Sequence, residues 1–445
     1  MKQHMIPVAL AAFVSLAIAA TTARMEAQII QGHMPSMESP HEGTWLQWPH
    51  QYTYGATYRN RLDATWVAMT SALVAGEKIH IIAYDATERT RITNLLNAAA
   101  VLLTNVDFLL RQTDDCWVRD NGPIFVYDNN TALKITDWSF NGWGLDTVYA
   151  KDNTVPVGVA TYLGLPRVDL NTTLELEGGA VEVDGNGVMM ATRSSTLLNN
   201  RNPGITQAQY EAIVTTNLGV TKFIWLDGAF GGTGDITDMH IDGFAMFGPN
   251  HTIATMSSAD LTYWLLPAAD IATLYAATDI NNVPYSFVQL PLTANDVVTT
   301  YGTNLGYKGS YVNYYVGNTV VLVPTYNDPH DTAAKNIVQQ LYPGRTVVGI
   351  DVRNLYANGG MIHCVTQQQP EKFTAPRLGI ASRPNAKLEV AYTGAIGSAC
   401  RLQAATDLMA GDWTDLSSFT LTQPTKYFQS TTNGFTRRLF RVVTP

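Results

Sequence analysis

Three short stretches of this sequence concentrate groups able to work on a cationic substrate. The first, Asp114 to Pro123, carries Asp114, Asp115, Arg119 and Asp120 around Cys116 and Trp117, then turns at Asn121-Gly122-Pro123 into the apolar run Ile124 to Tyr127. Carboxylates at the edge of such a strand can neutralise and hydrogen-bond a cation; a solvated turn with an Asp–Arg pair would carry the same letters. The second stretch, Asp235 to Asp242, holds three aspartates and His240. Read as an extended strand, it puts His240 and Asp242 on one face, pairing a proton carrier near neutral pH with a fixed negative charge. A metal site is the rival reading, and it would want more histidines near by. The third stretch, Gly359 to Thr366, sets Cys364 on a short β run after a glycine pair that permits close backbone approach. A free buried cysteine is more often a small hydrophobe than a nucleophile, so position alone leaves Cys364 open between the two. Neither Cys116 nor Cys400 has a better claim.

Holding three distant stretches together requires a framework, and the sequence predicts one from about Met34 to Pro370, where β-rich runs alternate with helical ones. Tyr58 to Ala75 reads as a helix and Lys78 to Ala83 as the strand after it. Asp331 to Leu341 reads as a helix stopped by Pro343 and Gly344. Residues 371–386, with Pro376 and Pro384, read as a linker, and 387–445, with β-like runs at Lys387 to Tyr392 and Arg438 to Val443, as a small all-β module. Two internal echoes point to one supersecondary unit used repeatedly around a centre. Leu174 to Val183 lines up with Leu355 to Cys364, matching Glu177 to Asn358; more loosely, Arg119-Asp120-Asn121-Gly122 echoes Ile241-Asp242-Gly243.

Composition narrows the classes. The 445 residues carry 28 Lys plus Arg against 37 Asp plus Glu, a net charge of −9, which argues against a nucleic-acid partner. Hydrophobic residues make up 46% and charged ones 15%, which excludes a mainly disordered chain. Three cysteines are too few and too far apart for a disulfide framework, and no Cys/His cluster has zinc spacing. At the N-terminus, Lys2 and His4 precede Ile6 to Ala20, apolar apart from Pro7 and Ser15, and small residues follow through Ala23 and Ala27. This reads as a signal peptide over 1–27 and predicts export to the periplasm or beyond. The apolar stretch falls short of the roughly 20 residues a membrane-spanning helix needs, so no stable membrane span is predicted.

Taken in order, several motifs resemble those of the agmatine deiminase and bacterial peptidylarginine deiminase family of guanidine-modifying enzymes. They are Met34 to Pro49, Trp117-Val118-Arg119-Asp120, Phe140 to Gly144, Glu177-Gly178-Gly179, Leu197 to Pro203, Thr237 to Asp242, Tyr311 to Tyr315 and Ile362 to Pro370. The resemblance implies an α/β fold, a five-bladed β/α propeller with pseudo-fivefold symmetry. It implies Cys364 as nucleophile, His240 as general acid and base, Asp120 and Asp242 as the pair gripping a guanidinium, and Glu177 and Trp117 as further pocket residues. No metal or organic cofactor is implied, and the partner is a small guanidine or a peptide arginine. Three residues depart from the pattern: Ala180 where relatives usually have Asn or Ser, Met239 where Gly is usual, and Met361 where Asn is frequent. Phe140 to Gly144 offers no arginine to a substrate carboxylate, which favours free agmatine over peptide arginine; export pulls the other way, since the agmatine enzymes are typically cytoplasmic. The alternatives are a peptidylarginine deiminase forming citrulline, an amidinotransferase, and a guanidine-binding protein without catalysis. The segment 387–445 resembles small β-sandwich modules appended to secreted bacterial proteins.

Overall fold

The structure, a computed structural model, describes residues 30–129, 131–229, 235–372, 376–383, 387–394, 398–406, 412–421, 425–431 and 438–443. The predicted signal peptide lies outside them. Five sheets with one common build make up residues 33–370. In each, a strand pairs antiparallel with the next, and a helix then carries the chain to a third strand, parallel to the second; a short helical turn leads into the first strand of four of them, and the bend at 311–312 precedes Tyr315–Val316. The first such sheet joins Ile124–Tyr127, Leu133–Ser139 and Arg167–Glu175. Val181–Val183, Val188–Thr192 and Lys222–Leu226 form the second. Ala245–Gly248, Thr252–Thr255 and Ser286–Gln289 form the third, and Tyr315–Val316, Val320–Thr325 and Thr346–Asp351 the fourth. The fifth joins the two ends of this region: Gln367–Pro370 pairs antiparallel with His41–Gln47, Trp45 opposite Gln367, and Lys78–Ala83 and Val106–Leu110 follow in parallel.

Local sequence explains these elements. Parallel neighbours need a crossover too long for a hairpin, and a helix is the usual one. The helix Asp331–Leu341 buries Ala334, Val338 and Leu341, one face at helical spacing; full burial of the Val and Leu side chains contributes about 1.5 to 3 kcal/mol each. The helix Gln207–Leu218 is opened by a capping box between Thr206 and Gln209 and closed by Gly219 in the left-handed conformation. Lys78–Ala83, covered on both faces, is buried from Ile79 onward, which is why it reads as an unbroken apolar run rather than an alternating one. The helix expected from Tyr58 begins earlier, spanning Gln51–Leu73, with a break at Gly55, whose φ of 66° and ψ of 156° no helix accommodates.

Three further expectations are corrected. The stretch 371–386 is not wholly a linker: Arg377–Arg383 is a strand paired with Lys387–Thr393, its prolines lying outside the paired run. The echo of Glu177 with Asn358 is out of register, because Glu177 precedes the turn Gly178–Ala180 as Ile362 precedes His363–Val365; the glycine pairs matched, the repeated turns did not. The looser echo of Asp120 with Asp242 does follow the repeat. Beyond residue 376, two antiparallel three-stranded sheets, Arg377–Arg383/Lys387–Thr393/Thr425–Thr431 and Thr414–Thr420/Ala399–Ala405/Leu439–Val443, pack through Tyr392, Cys400 and Leu421. No helix among the described residues is long and apolar enough to cross a membrane.

Candidate active site

Each of the five sheets delivers candidate site residues from the same place, the stretch just before its first strand. Asp120 lies in Val118–Asn121, Glu177 caps Gly178–Ala180, and His240 caps the 3-10 turn Ile241–Gly243 that contains Asp242. Asn313 precedes Tyr315–Val316, and Cys364 lies in the 3-10 turn His363–Val365. The expected strand settings are therefore wrong: His240, Asp242 and Cys364 sit on tight turns, and they converge because successive sheets repeat the turn, not because alternate residues share a strand face. A 3-10 turn frees backbone groups and aims side chains inward where a ladder would fix them to two faces.

The convergence centres on Gly179. A methyl group at that position would lie 2.7 Å from His240 Nδ1, 2.8 Å from Asp120 Oδ1 and 3.1 Å from Asp242 Oδ2. His240 Nδ1 is 3.7 Å from Asp120 Oδ1, and Cys364 Sγ is 3.9 Å from Asp242 Oδ2 and 3.6 Å from Asn313 Oδ1. A cavity of about 370 Å³ opens over this cluster, with His240, Asp242, Asn313 and Cys364 at one end and Tyr263, Trp264, Tyr307 and Lys308 in its wall. Cys364 is the one cysteine of the three with a partly open face. Among the described residues, no group of His, Cys, Asp and Glu is arranged to hold a metal ion.

Glu177 and Trp117 stand behind this cluster rather than in the cavity wall. Glu177 is bonded on both sides: His240 Nε2 lies 2.6 Å from Oε2, and Arg201 donates through Nε to Oε1 at 2.7 Å. Arg201 also donates to Asp238 Oδ2 at 2.6 Å. Trp117 packs its ring where Gly360 has no side chain, since a methyl there would come within 2.1 Å of it. Its ring meets the edge of Trp143, whose Nε1 donates to Asp120 Oδ2 at 3.1 Å. The other Asp120 oxygen accepts from the Gly179 backbone N–H at 3.0 Å. Sequence reasoning missed Asn313, Arg201, Trp143 and His363 as contributors. The signal for Asn313 was the repeat itself, since the fourth sheet should offer a polar residue just before its first strand as the others do.

Burial and crowding of charge decide the protonation states. Burial and the neighbouring charges of Asp242 and Glu177 push Asp120 up to about 6, against the pull of His240. Burial would lower His240, but Asp120, Glu177 and Asp242 outweigh it and raise the imidazole to about 9. Burial, then the charges of Asp242 and Asp120, push the Cys364 thiol well above its ordinary value. Burial would raise Glu177 and Asp242 as well, yet His240 with Arg201 lowers the first, and the bond from His363 lowers the second. The site thus holds a protonated imidazole, a neutral thiol and a surplus of negative charge.

The Porphyromonas-type peptidyl-arginine deiminase family matches residues 33–370. The chain belongs to that family. Agmatine deiminases of Pseudomonas fluorescens and Stutzerimonas stutzeri are each 32% identical to it, over 76% and 77% of this chain and 95% and 96% of theirs. The solved structure of agmatine deiminase from Enterococcus faecalis matches with a TM-score of 0.67 at 25% identity, covering 77% of this chain and 97% of that one. The deiminase region therefore has the mixed α/β fold of the agmatine deiminase structures. Two of this deiminase's departures reach the cavity, Met239 and Met361. Met239 has a φ of 66°, a left-handed conformation that glycine adopts freely and a methionine adopts at about 1 to 2 kcal/mol. Here that strain accompanies an apolar wall beside His240. Ala180 is buried in its turn, away from the cavity wall.

Proposed function

We propose that this hydrolase of amidine C–N bonds acts on agmatine, releasing N-carbamoylputrescine and ammonia through a thiouronium on Cys364. The convergence of Cys364, His240, Asp120 and Asp242 around Gly179 carries the reading. A guanidinium is planar and cationic, so two carboxylates can accept its N–H groups while neutralising its charge. Its positive charge offsets the carboxylates beside Cys364, which lowers the thiol toward the attacking thiolate. The Cys364 S–H bond breaks with its proton passing to solvent, and Sγ bonds to the guanidine carbon as the C=N π pair moves onto nitrogen. As the C–N bond breaks, protonated His240 gives its proton to the departing nitrogen, which leaves as ammonia. Neutral His240 next takes a proton from water, the hydroxide attacks the same carbon, and the C–S bond breaks as the added hydroxyl gives its proton to the departing sulfur, releasing the ureido product.

A second reading is favoured by one observation. Lys308 lines the cavity, its ammonium 5.7 Å from the centre of the Tyr263 ring, and a cation there suits a substrate carboxylate such as that of a peptide ending in arginine. Ammonia release from agmatine, from arginine and from an arginine-terminated peptide, compared at equal concentration, separates the two. Turnover of agmatine above the others supports the first reading; turnover of the peptide alone replaces it. We also take the five sheets to be the blades of a closed five-bladed propeller, supported by the pairing of Gln367–Pro370 with His41–Gln47, and the protein to be exported, supported by the charge and apolar pattern of residues 1–27. Recovery of activity in the periplasmic or culture fraction, lost on deleting those residues, tests export.

A further inference from the structure

His363 immediately precedes the nucleophile, and the roles assigned above do not use it. Its side chain is buried, and both ring nitrogens face carboxyl groups: Nδ1 lies 2.7 Å from Asp242 Oδ2, and Nε2 lies 3.8 Å from Glu182 Oε1. Its backbone is held as firmly, with its N–H donating to Asn313 Oδ1 at 2.9 Å and its carbonyl accepting from Arg119 Nε at 3.3 Å. Asp242 is in turn held at its carbonyl by Asn313 Nδ2 at 3.1 Å. We propose that His363 is a positioning residue that holds Asp242 as an oriented carboxylate for the substrate guanidinium.

The chemistry of the pair requires one arrangement. A carboxylate only accepts, so the nitrogen facing Asp242 must carry a proton, and a neutral imidazole then presents an acceptor at Nε2. Glu182 Oε1, 3.8 Å from that nitrogen, lies beyond hydrogen-bond distance. Burial raises Glu182 to about 8, with Asp242 and Glu38 adding to the effect and Arg119 opposing it, while burial and the charge of Arg119 lower His363 to about 4. His363 is therefore neutral at pH 7 and donates from Nδ1 to Asp242 Oδ2. Glu182 also lines a second cavity of about 250 Å³, with Glu38, Asp184, His251 and Tyr285 in its wall, separate from the one over Cys364.

The inference rests on the reading that Asp242 grips a guanidinium, so the test is run where binding is seen without turnover. In a Cys364→Ser background, agmatine affinity is measured by calorimetry for His363 intact, for His363→Asn, whose amide can still donate to Asp242, and for His363→Leu, which cannot. We expect His363→Leu to weaken binding by at least about tenfold, the loss typical of a hydrogen bond to a charged group, and His363→Asn to recover most of it. With Cys364 present, His363→Leu should raise KM more than it lowers kcat. Melting temperatures of both variants control for packing. Equal affinity in all three proteins, or equal losses in the Asn and Leu variants, overturns the proposal. Absence of agmatine binding with His363 intact would instead remove the reading on which it rests.

Discussion

Replacing Glu177 by Gln separates two roles that the site allows it. If Glu177 touched substrate, its loss would raise KM and leave the titration of His240 where it is. The structure places it behind His240, 2.6 Å from Nε2 and 2.7 Å from Arg201 Nε. Gln keeps the shape and removes the charge. A hydrogen bond to a charged group contributes about 1.5 to 3 kcal/mol, and at 1.36 kcal/mol per tenfold change the imidazole should fall from about 9 to between about 7 and 8. The alkaline limb of kcat for ammonia release should move down with it, because the leaving nitrogen then finds less protonated His240. Stability should fall too, by about 3 kcal/mol, since Arg201, 1% exposed, loses a buried partner and keeps Asp238. The assay is a pH profile of kcat and KM beside a melting curve. A folded Glu177→Gln enzyme whose alkaline limb stays near 9 while KM rises would refute the placement.

Other expectations follow from the same geometry. Asp120 must be ionised to accept a guanidinium, and burial raises it to about 6, so kcat/KM should decline about tenfold per pH unit below that point; a profile flat to pH 5 would contradict this. Trp143→Phe removes the 3.1 Å bond to Asp120 and should move that acid limb upward by roughly one to two pH units, with little change in melting temperature. Gly179→Ala puts a methyl 2.7 Å from His240 Nδ1 and 2.8 Å from Asp120 Oδ1, and should cut kcat/KM by about a hundredfold or more while circular dichroism shows a folded chain. Alkylation of Cys364 by iodoacetamide at pH 7.5 should be slow in the empty enzyme, where burial and two carboxylates keep the thiol protonated, and faster with guanidinium ion present; a rate indifferent to guanidinium would argue against activation by substrate.

Much of the site was legible in the letters, because its chemistry needs particular residue types. Cys364, His240, Asp120 and Asp242 are brought together as expected. What sequence could not supply was their backbone setting: alternation of polar and apolar residues is the signature of a strand, and Asp238-Met239-His240-Ile241-Asp242 alternates, yet Asp238 and Met239 have positive φ and the following residues form a 3-10 turn. Tertiary contacts override the local pattern there. Trp117 and Glu177 were placed near the site by resemblance, but whether a side chain faces substrate or supports its neighbour depends on which way it points, and that is fixed by distant partners such as Arg201 and Gly360. Arg377–Arg383 was hidden by Pro376 and Pro384, which flank the strand without interrupting it. His363 carried no signal of its own, being overshadowed by the cysteine beside it.

The central claim, that Cys364 performs covalent deimination of a guanidine, is tested most directly by comparing the wild-type protein with Cys364→Ser for release of ammonia and a ureido product from agmatine. The account predicts one ammonia for each N-carbamoylputrescine in the wild type, and a Cys364→Ser protein that melts at a similar temperature and binds agmatine but forms neither product. Undiminished release of both products by Cys364→Ser would contradict it.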